Sequence, residues 1–236
     1  MRQFFTRYTV FPVVLMLSIL RIFSPPAQAQ TVVVPVVMQQ CDTAGFATDI
    51  QGIAYNSDDR VYAILDTVTD EVYILNSDCE IVGQFDTTVF GADTPAGITY
   101  NSDANVYAIV DSADDEIYIV DANGELIDQC NTSVFSTTPT GIAFNRDSGE
   151  YAIVDSGVDE VFIIDATLSA ADCALSDQFD MASFGADSPT DIAYDHTTNQ
   201  YAITDSTDDE IYFVKANGVP VVYGRFREID RSRDIL

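Results

Sequence analysis

The residues best placed for chemistry are carboxylates in a turn that recurs four times. The pattern D-[ST]-x-x-D-E-[IV]-[YF] reads DTVTDEVY, DSADDEIY, DSGVDEVF and DSTDDEIY. It places Asp66, Asp70 and Glu71 in the first copy, Asp111, Asp115 and Glu116 in the second, Asp155, Asp159 and Glu160 in the third, and Asp205, Asp209 and Glu210 in the fourth. Carboxylate oxygens gathered on short loops suit Ca²⁺, a hard cation that takes roughly six to eight oxygen ligands. A second reading needs no ion. An Asp followed by Ser or Thr at a strand end hydrogen-bonds to the backbone of its own turn, and recurs because the turn recurs. This turn reading takes precedence, because no copy shows the spaced D-x-[DN]-x-[DN]-G calcium loop.

A reaction centre is one place, so it requires a group that differs from its counterparts in the other copies. The sole histidine, His196, falls in a predicted turn at the other end of the strands and reads as an exposed turn residue. Arg60 and Arg146 fall in the equivalent turns, where solvated charge is the default. There is no GxSxG elbow, HExxH helix, phosphate loop or GxGxxG. Catalytic residues are therefore not identified. Asn131-Thr132-Ser133 is a glycosylation sequon, which carries weight only in a glycosylating host.

The elements that must position these turns are strands. Four segments open alike, GIAYN at Gly52, GITYN at Gly97, GIAFN at Gly141 and DIAYD at Asp191, at spacings of 45, 44 and 50 residues. Each is followed by Tyr-Ala-Ile, then the acidic turn, then a third apolar run, and a weaker fourth run closes the unit. The runs are short, rich in Ile, Val, Tyr and Phe, and bounded by turn formers, whereas none sustains a helical period. One repeat is thus a four-stranded meander, and four-stranded units at this period predict an all-β propeller of four antiparallel blades. The recurrent aromatics Tyr62, Tyr107, Tyr151 and Tyr201, with Tyr73, Tyr118, Phe162 and Tyr212, are expected between the sheets. An aromatic platform for sugars is the minor alternative.

Residues 1–29 read as a secretory signal, with Arg2 and Arg7, an apolar run over residues 10–20 and Ala27-Gln28-Ala29 as the cleavage site. The run is too short to span a bilayer, so a secreted, periplasmic or extracellular product with no integral membrane segment is expected. The formal net charge is −28, and removal of the signal leaves seven basic against 38 acidic residues, a net charge of −31. Such a chain repels phosphate, which disfavours nucleic acid as a partner. Cys41, Cys79, Cys130 and Cys173 allow three pairings in a disulfide-permissive compartment. Cys79 and Cys173 occupy equivalent repeat positions, as do Cys41 and Cys130, so the repeat favours no pairing and free buried thiols stand level with bridges.

The grammar P-x-GIAYN, YAIVDS and DEIYIVDANG over about residues 48–218 resembles the NHL/YVTN-type propeller repeats, with relatives among secreted lactonase-like propellers. The resemblance implies architecture rather than activity. Lactonase-like members hold a divalent metal with scattered side chains in the channel, which leave no local motif. Glu71, Glu116, Glu160 and Glu210 stand where many such repeats have a basic residue.

Four blades are expected over 48–93, 94–138, 139–187 and 188–224. Residues 30–47, VVVPVVMQQCDTAGF within them, match the fourth-strand ending LIDQCNTSVF and predict an N-terminal strand that closes the ring. NGVPVVYG from Asn217 competes for the same place, and if both are strands the chain is an arc of a larger ring completed by another subunit. Residues 225–236 form a basic tail, expected to be flexible. The functional expectation is a non-enzymatic binding or scaffold protein, with Ca²⁺ as its possible cofactor, for an extracellular protein, saccharide or small molecule. The alternatives are a metal-dependent lactonase or esterase-like hydrolase and a self-associating assembly module.

Overall fold

Four antiparallel sheets follow one another along the chain in the computed structural model, which describes residues 39–166 and 172–221. The first blade comprises β1 (Ile50–Asn56), β2 (Val61–Asp66), β3 (Glu71–Leu75) and β4 (Ile81–Asp86). The second has β5 (Pro95–Asn101), β6 (Val106–Asp111), β7 (Glu116–Val120) and β8 (Leu126–Asn131). The third has β9 (Pro139–Asn145), β10 (Glu150–Asp155), β11 (Glu160–Asp165) and β12 (Leu175–Asp180), and the fourth β13 (Pro189–Asp195), β14 (Gln200–Asp205) and β15 (Glu210–Lys215). Single 3₁₀ turns at Thr87–Val89 and Ala182–Phe184 are the helical elements of the described residues. The architecture is an all-β propeller of four blades, as the repeat implied.

Turn chemistry explains why the strands break where they do. Each turn that lies wholly among the described residues has a left-handed residue, a conformation that favours Gly, Asn and Asp. In the first turns of the blades it is Arg60, Asn105, Gly149 or Asn199, in the acidic turns Asp70, Asp115, Asp159 or Asp209, and in the third turns Cys79, Gly124 or Gly218. The first turns are also fastened by the residue that ends the inner strand: Asn56 Oδ1 accepts the N–H groups of Asp58 and Asp59 at 2.9 and 3.0 Å, and Asn101 and Asn145 repeat the bond.

The core lies between blades rather than within them. Val106, Ala108, Val110, Ile117 and Ile119 of the second blade pack on Ile142, Phe144, Tyr151, Ile153 and Ile164 of the third, and equivalent sets join the first blade to the second and the third to the fourth. Inner strands meet in chain order, β1 on β5, β5 on β9 and β9 on β13. Their closest approach depends on glycine. A Cβ on Gly97 would stand 3.0 Å from the Gly141 Cα, and one on Gly141 would stand 2.7 Å from the Asp191 Cα. Polar bonds also cross each joint: Asn101 Nδ2 donates to the Tyr151 hydroxyl at 2.9 Å, and Asn145 Nδ2 to the Tyr201 hydroxyl at 3.1 Å.

The cysteines are all paired, Cys41 with Cys79 and Cys130 with Cys173. Equivalent cysteines do not meet; each bridge instead joins an outer-strand position to the third turn of the following blade. The expectation that free thiols stood level with bridges is thereby corrected, because positions inequivalent in the repeat become neighbours once blades stack.

The predicted signal (1–29), residues 30–38 of the predicted closing strand and the predicted basic tail (225–236) lie outside the described residues. Of the predicted closing segment, residues 39–47 are described and form no strand; Thr43 O accepts the N–H groups of Phe46 and Ala47 in a turn. The competing segment begins to pair on the fourth blade, where Val214 bridges Pro220 and the Val221 N–H donates to Phe213 O at 2.8 Å. Gly141→Ala should destabilise the protein by about 1–3 kcal/mol through overpacking at the inner strands, and replacing Cys130 and Cys173 by Ala should cost about 3–4 kcal/mol by loss of the cross-link. Urea denaturation followed by circular dichroism measures both.

Candidate functional site

The antiparallel registers Ile50 with Asp66, Asp66 with Glu71 and Glu71 with Asp86 put the acidic turns at the same end of each blade as the loops that join blades. All twelve carboxylates named from the sequence lie at that end, but they do different work.

The first Asp of each turn is buried: Asp66, Asp111 and Asp155 are fully enclosed and Asp205 nearly so. In the third blade, Asp155 Oδ2 accepts the Ser136 hydroxyl at 2.7 Å and the N–H groups of Thr137 and Thr138 at 2.9 and 3.0 Å. Its Oδ1 accepts the N–H groups of Gly157 and Val158 at 2.7 and 3.2 Å. Asp66 repeats this with Thr48, Asp49, Val68 and Thr69, Asp111 with Thr94, Ala113 and Asp114, and Asp205 with Ser188, Thr207 and Asp208. Each carboxylate therefore staples its own turn to the loop that enters its blade. Burial alone would raise these carboxyls, yet the converging donors outweigh it and hold Asp66, Asp155 and Asp205 below the ordinary value of 3.8.

The second Asp occupies the left-handed position and points its charge at its neighbours. Desolvation, followed by repulsion from other carboxylates, raises Asp70, Asp115 and Asp159. The repulsion crosses blades: Asp70 feels Asp111, Asp115 feels Asp155, and Asp159 feels Asp205 and Asp187. Their backbone carbonyls serve the fold, with the Thr87 and Thr132 N–H groups donating to Asp70 O and Asp115 O at 2.8 and 2.7 Å. The glutamates begin the third strands. Glu116 Oε2 accepts from Gln129 at 3.3 Å and Glu160 Oε2 from Gln178 at 3.1 Å, whereas Glu71 Oε2 is buried with no hydrogen-bond partner.

One trio gathers carboxylate oxygens closely. Atoms of Asp187, Asp205 and Asp208 lie within 4.8 Å of one another, with Asp205 buried and the other two exposed. The sequence reading named Asp205 alone; the signal for Asp187 was the repeated FGAD before the entry loop, which places Asp93 in the same position of the second blade. Asp191 was also passed over. It replaces the glycine of the other inner strands, its Oδ1 accepts the Ile192 N–H at 2.8 Å, and desolvation raises its carboxyl.

At the opposite end, a cleft of about 500 Å³ between the third and fourth blades is lined by polar residues including Asp147, Glu150, Asp177 and Lys215. At the same joint Tyr194 donates to Asp147 at 2.6 Å, as Tyr100 donates to Asp58 at 2.7 Å between the first and second blades. His196 stands exposed in the first turn of the fourth blade at this end, remote in the fold from the acidic turns.

These blades recur in solved structures. Virginiamycin B lyase from Staphylococcus aureus, in a catalytically inactive form with quinupristin, matches at TM-score 0.54 and 16% identity over 74% of this chain and 55% of that one. The chain is a β-propeller. A nidogen/laminin complex matches at TM-score 0.56 and 17% identity over 75% of this chain and 64% of that one, and Kuenenia stuttgartiensis hydrazine synthase at 0.54 and 14% over 75% and 49%. The propeller thus spans about half to two thirds of the length of these chains. No protein-family model and no curated protein matches the sequence.

The two sets of aspartates predict opposite pH responses. A raised carboxyl contributes stability when protonated, which is lost as pH rises through its folded value; a lowered one contributes above 3.8, lost as pH falls through its own. Acidification from neutrality should therefore first stabilise the protein as Asp70, Asp115 and Asp159 protonate, and then destabilise it as Asp66, Asp155 and Asp205 do. Replacing the first three by Asn should flatten the initial rise in melting temperature. At neutral pH, Asp155→Ala should cost about 3 kcal/mol by stranding its buried donors, whereas Asp159→Asn should change stability by less than about 0.5 kcal/mol, in the favourable direction.

Proposed function

We propose that the chain is an extracellular, non-enzymatic binding or scaffold propeller whose acidic end takes up Ca²⁺ or a cationic partner. The observation that carries this reading is the separation of charge between the two ends. Between Gln30 and Gly224 the basic residues are Arg60, Arg146 and Lys215, and all three lie at the end opposite the acidic turns. The acidic end is left with carboxylates that raise one another and no cation of their own among the described residues. Such a surface concentrates counter-ions and steers cationic partners toward it. The trio Asp187, Asp205 and Asp208 is the place where a hard cation would find three oxygen donors at once.

Export is supported by the signal-like N-terminus, by two disulfides of the kind that persist in oxidising compartments, and by the absence among the described residues of a helix long and apolar enough to cross a membrane. The near-equality of the four turns supports binding over catalysis, since it offers a surface in place of a single centre. Among the structural neighbours, one is a lyase and another a complex between two proteins.

Calorimetric titration of the chain from Gln30 onward with Ca²⁺ tests the proposal. Several weak sites and a melting temperature that rises with Ca²⁺ are expected, and Asp187→Asn with Asp208→Asn should abolish the strongest of them. A melting temperature indifferent to Ca²⁺ and to a cationic peptide would overturn it, as would a single tight ion accompanied by hydrolysis of a lactone or ester.

A further inference from the structure

Two charged residues depart from the repeat at one joint, where the third blade meets the fourth at the end opposite the acidic turns. The second strand begins with Val61 in the first blade and Val106 in the second, but with Glu150 in the third. Val106 is buried against the third blade, together with Ala108 and Val110 of the same strand face. Strand alternation puts Glu150 on the corresponding face of the third blade, with Ala152 and Val154, which pack on the fourth. A half-buried carboxylate thus occupies a place that the repeat uses for packing.

Lys215 is the second departure. At its position the first three blades have Asn76, Asp121 and Asp165. Asn76 Oδ1 accepts the N–H groups of Asp78 and Glu80 at 2.9 and 3.0 Å, and Asp121 Oδ1 accepts those of Asn123 and Glu125 at 2.8 and 2.9 Å. The side chain at this position therefore fastens its own turn. An ammonium accepts no hydrogen bond, so Lys215 gives that fastening up. In its place Asn217 Oδ1 accepts the Val219 N–H at a longer 3.4 Å.

Both departures line one cleft. Between the second and third blades a crevice of about 190 Å³ is lined by Asn101, Ala104, Val106 and Asp128. Between the third and fourth, Asn145, Ser148, Glu150 and Asp177 stand in the same places, Lys215 faces them from the next blade, and the space is about 500 Å³. Ligand sites occupy roughly 300–1,000 Å³, so the larger of these two is of ligand size and the smaller is not. Glu150 lies beside the buried wall of this cleft: burial first and then its charge push the Tyr201 phenol up to about 12, against the bond that Tyr201 accepts from Asn145. Asp177 on β12 stands two strands out from Glu150 on β10, a spacing of roughly 10 Å.

We propose that this cleft binds a small basic zwitterion, an α-amino acid with a cationic side chain, its carboxylate on Lys215 and its two cationic groups on Glu150 and Asp177. The charges on the walls set the class of ligand. Three carboxylates, Asp147, Glu150 and Asp177, face one ammonium, and that excess selects a molecule of net positive charge. Lys215 supplies a charge-assisted partner for a single anionic group. Asp147 already accepts the Tyr194 hydroxyl, which leaves Glu150 and Asp177 to hold the cations. A neutral saccharide would make no use of two departures from the repeat that are opposite in charge. The site lies at the far end of the blades from the acidic turns and does not depend on what they bind.

Calorimetric titration of the protein with L-arginine and L-lysine tests this. Binding is expected, and it should weaken about ten- to a hundredfold for N-acetyl-arginine, which lacks the α-ammonium, and for argininamide, which lacks the carboxylate. Glu150→Val and Lys215→Asp restore the residues of other blades, so each should weaken arginine binding by as much while the melting temperature holds or rises. Glu150→Gln, close to the native side chain in size, gives the same reading if the valine variant fails to fold. Titration of these variants with Ca²⁺ should match the unaltered protein, which separates this cleft from the acidic end. Failure of both amino acids to bind would overturn the proposal, as would argininamide binding as well as arginine. Reverted variants that bind normally but melt lower would also overturn it, by assigning Glu150 and Lys215 to the fold.

Discussion

Each blade is apolar on both faces, and no α-helix is present among the described residues to cover either of them. Stacking against another blade is the means by which such a sheet keeps its side chains from water, and most other features follow from that constraint. The inner strands must approach closely, so glycine recurs at Gly52, Gly97 and Gly141. The aromatic residue of each second strand must fill the wedge between blades while its hydroxyl finds a partner, so Tyr151 and Tyr201 take bonds from Asn101 and Asn145. On the first blade the same surface is exposed at Ile53, Tyr55 and Tyr62.

The acidic turn shows how one short motif serves two physical ends. Its first Asp is spent on the fold: five donors converge on Asp155, and a charge that would otherwise be costly to bury becomes the fastener between turn and entry loop. Its second Asp is there because the backbone turns left-handed, which Asp tolerates, and its charge is left facing other charges. The protein thereby accumulates repulsion at one end as a by-product of repeating a good turn. A cation relieves that repulsion, which links the fold's local chemistry to the binding role proposed for this end.

Strand order, blade number and turn positions were legible because they rest on local patterns: GIAYN and YAI alternate apolar and small residues, and Asn, Asp and Gly mark the turns. The twelve turn carboxylates were legible as a group but not in their division of labour, because the full burial of Asp66 beside the half-buried Asp70 and Glu71 depends on the preceding loop folding back over it. Asp187 joins Asp205 only through that same loop.

The sequence by itself determined the repeating unit, its strand alternation and its acidity, since these follow from period, side-chain type and turn preference within a few residues. Only the tertiary structure decided the disulfide pairing, because Cys130 and Cys173 become neighbours through the stacking of two blades 43 residues apart in sequence. It alone also decided which copies of an otherwise equal residue are covered. Ile53 and Ile98 are chemically the same position, and what separates them is whether another blade stands in front.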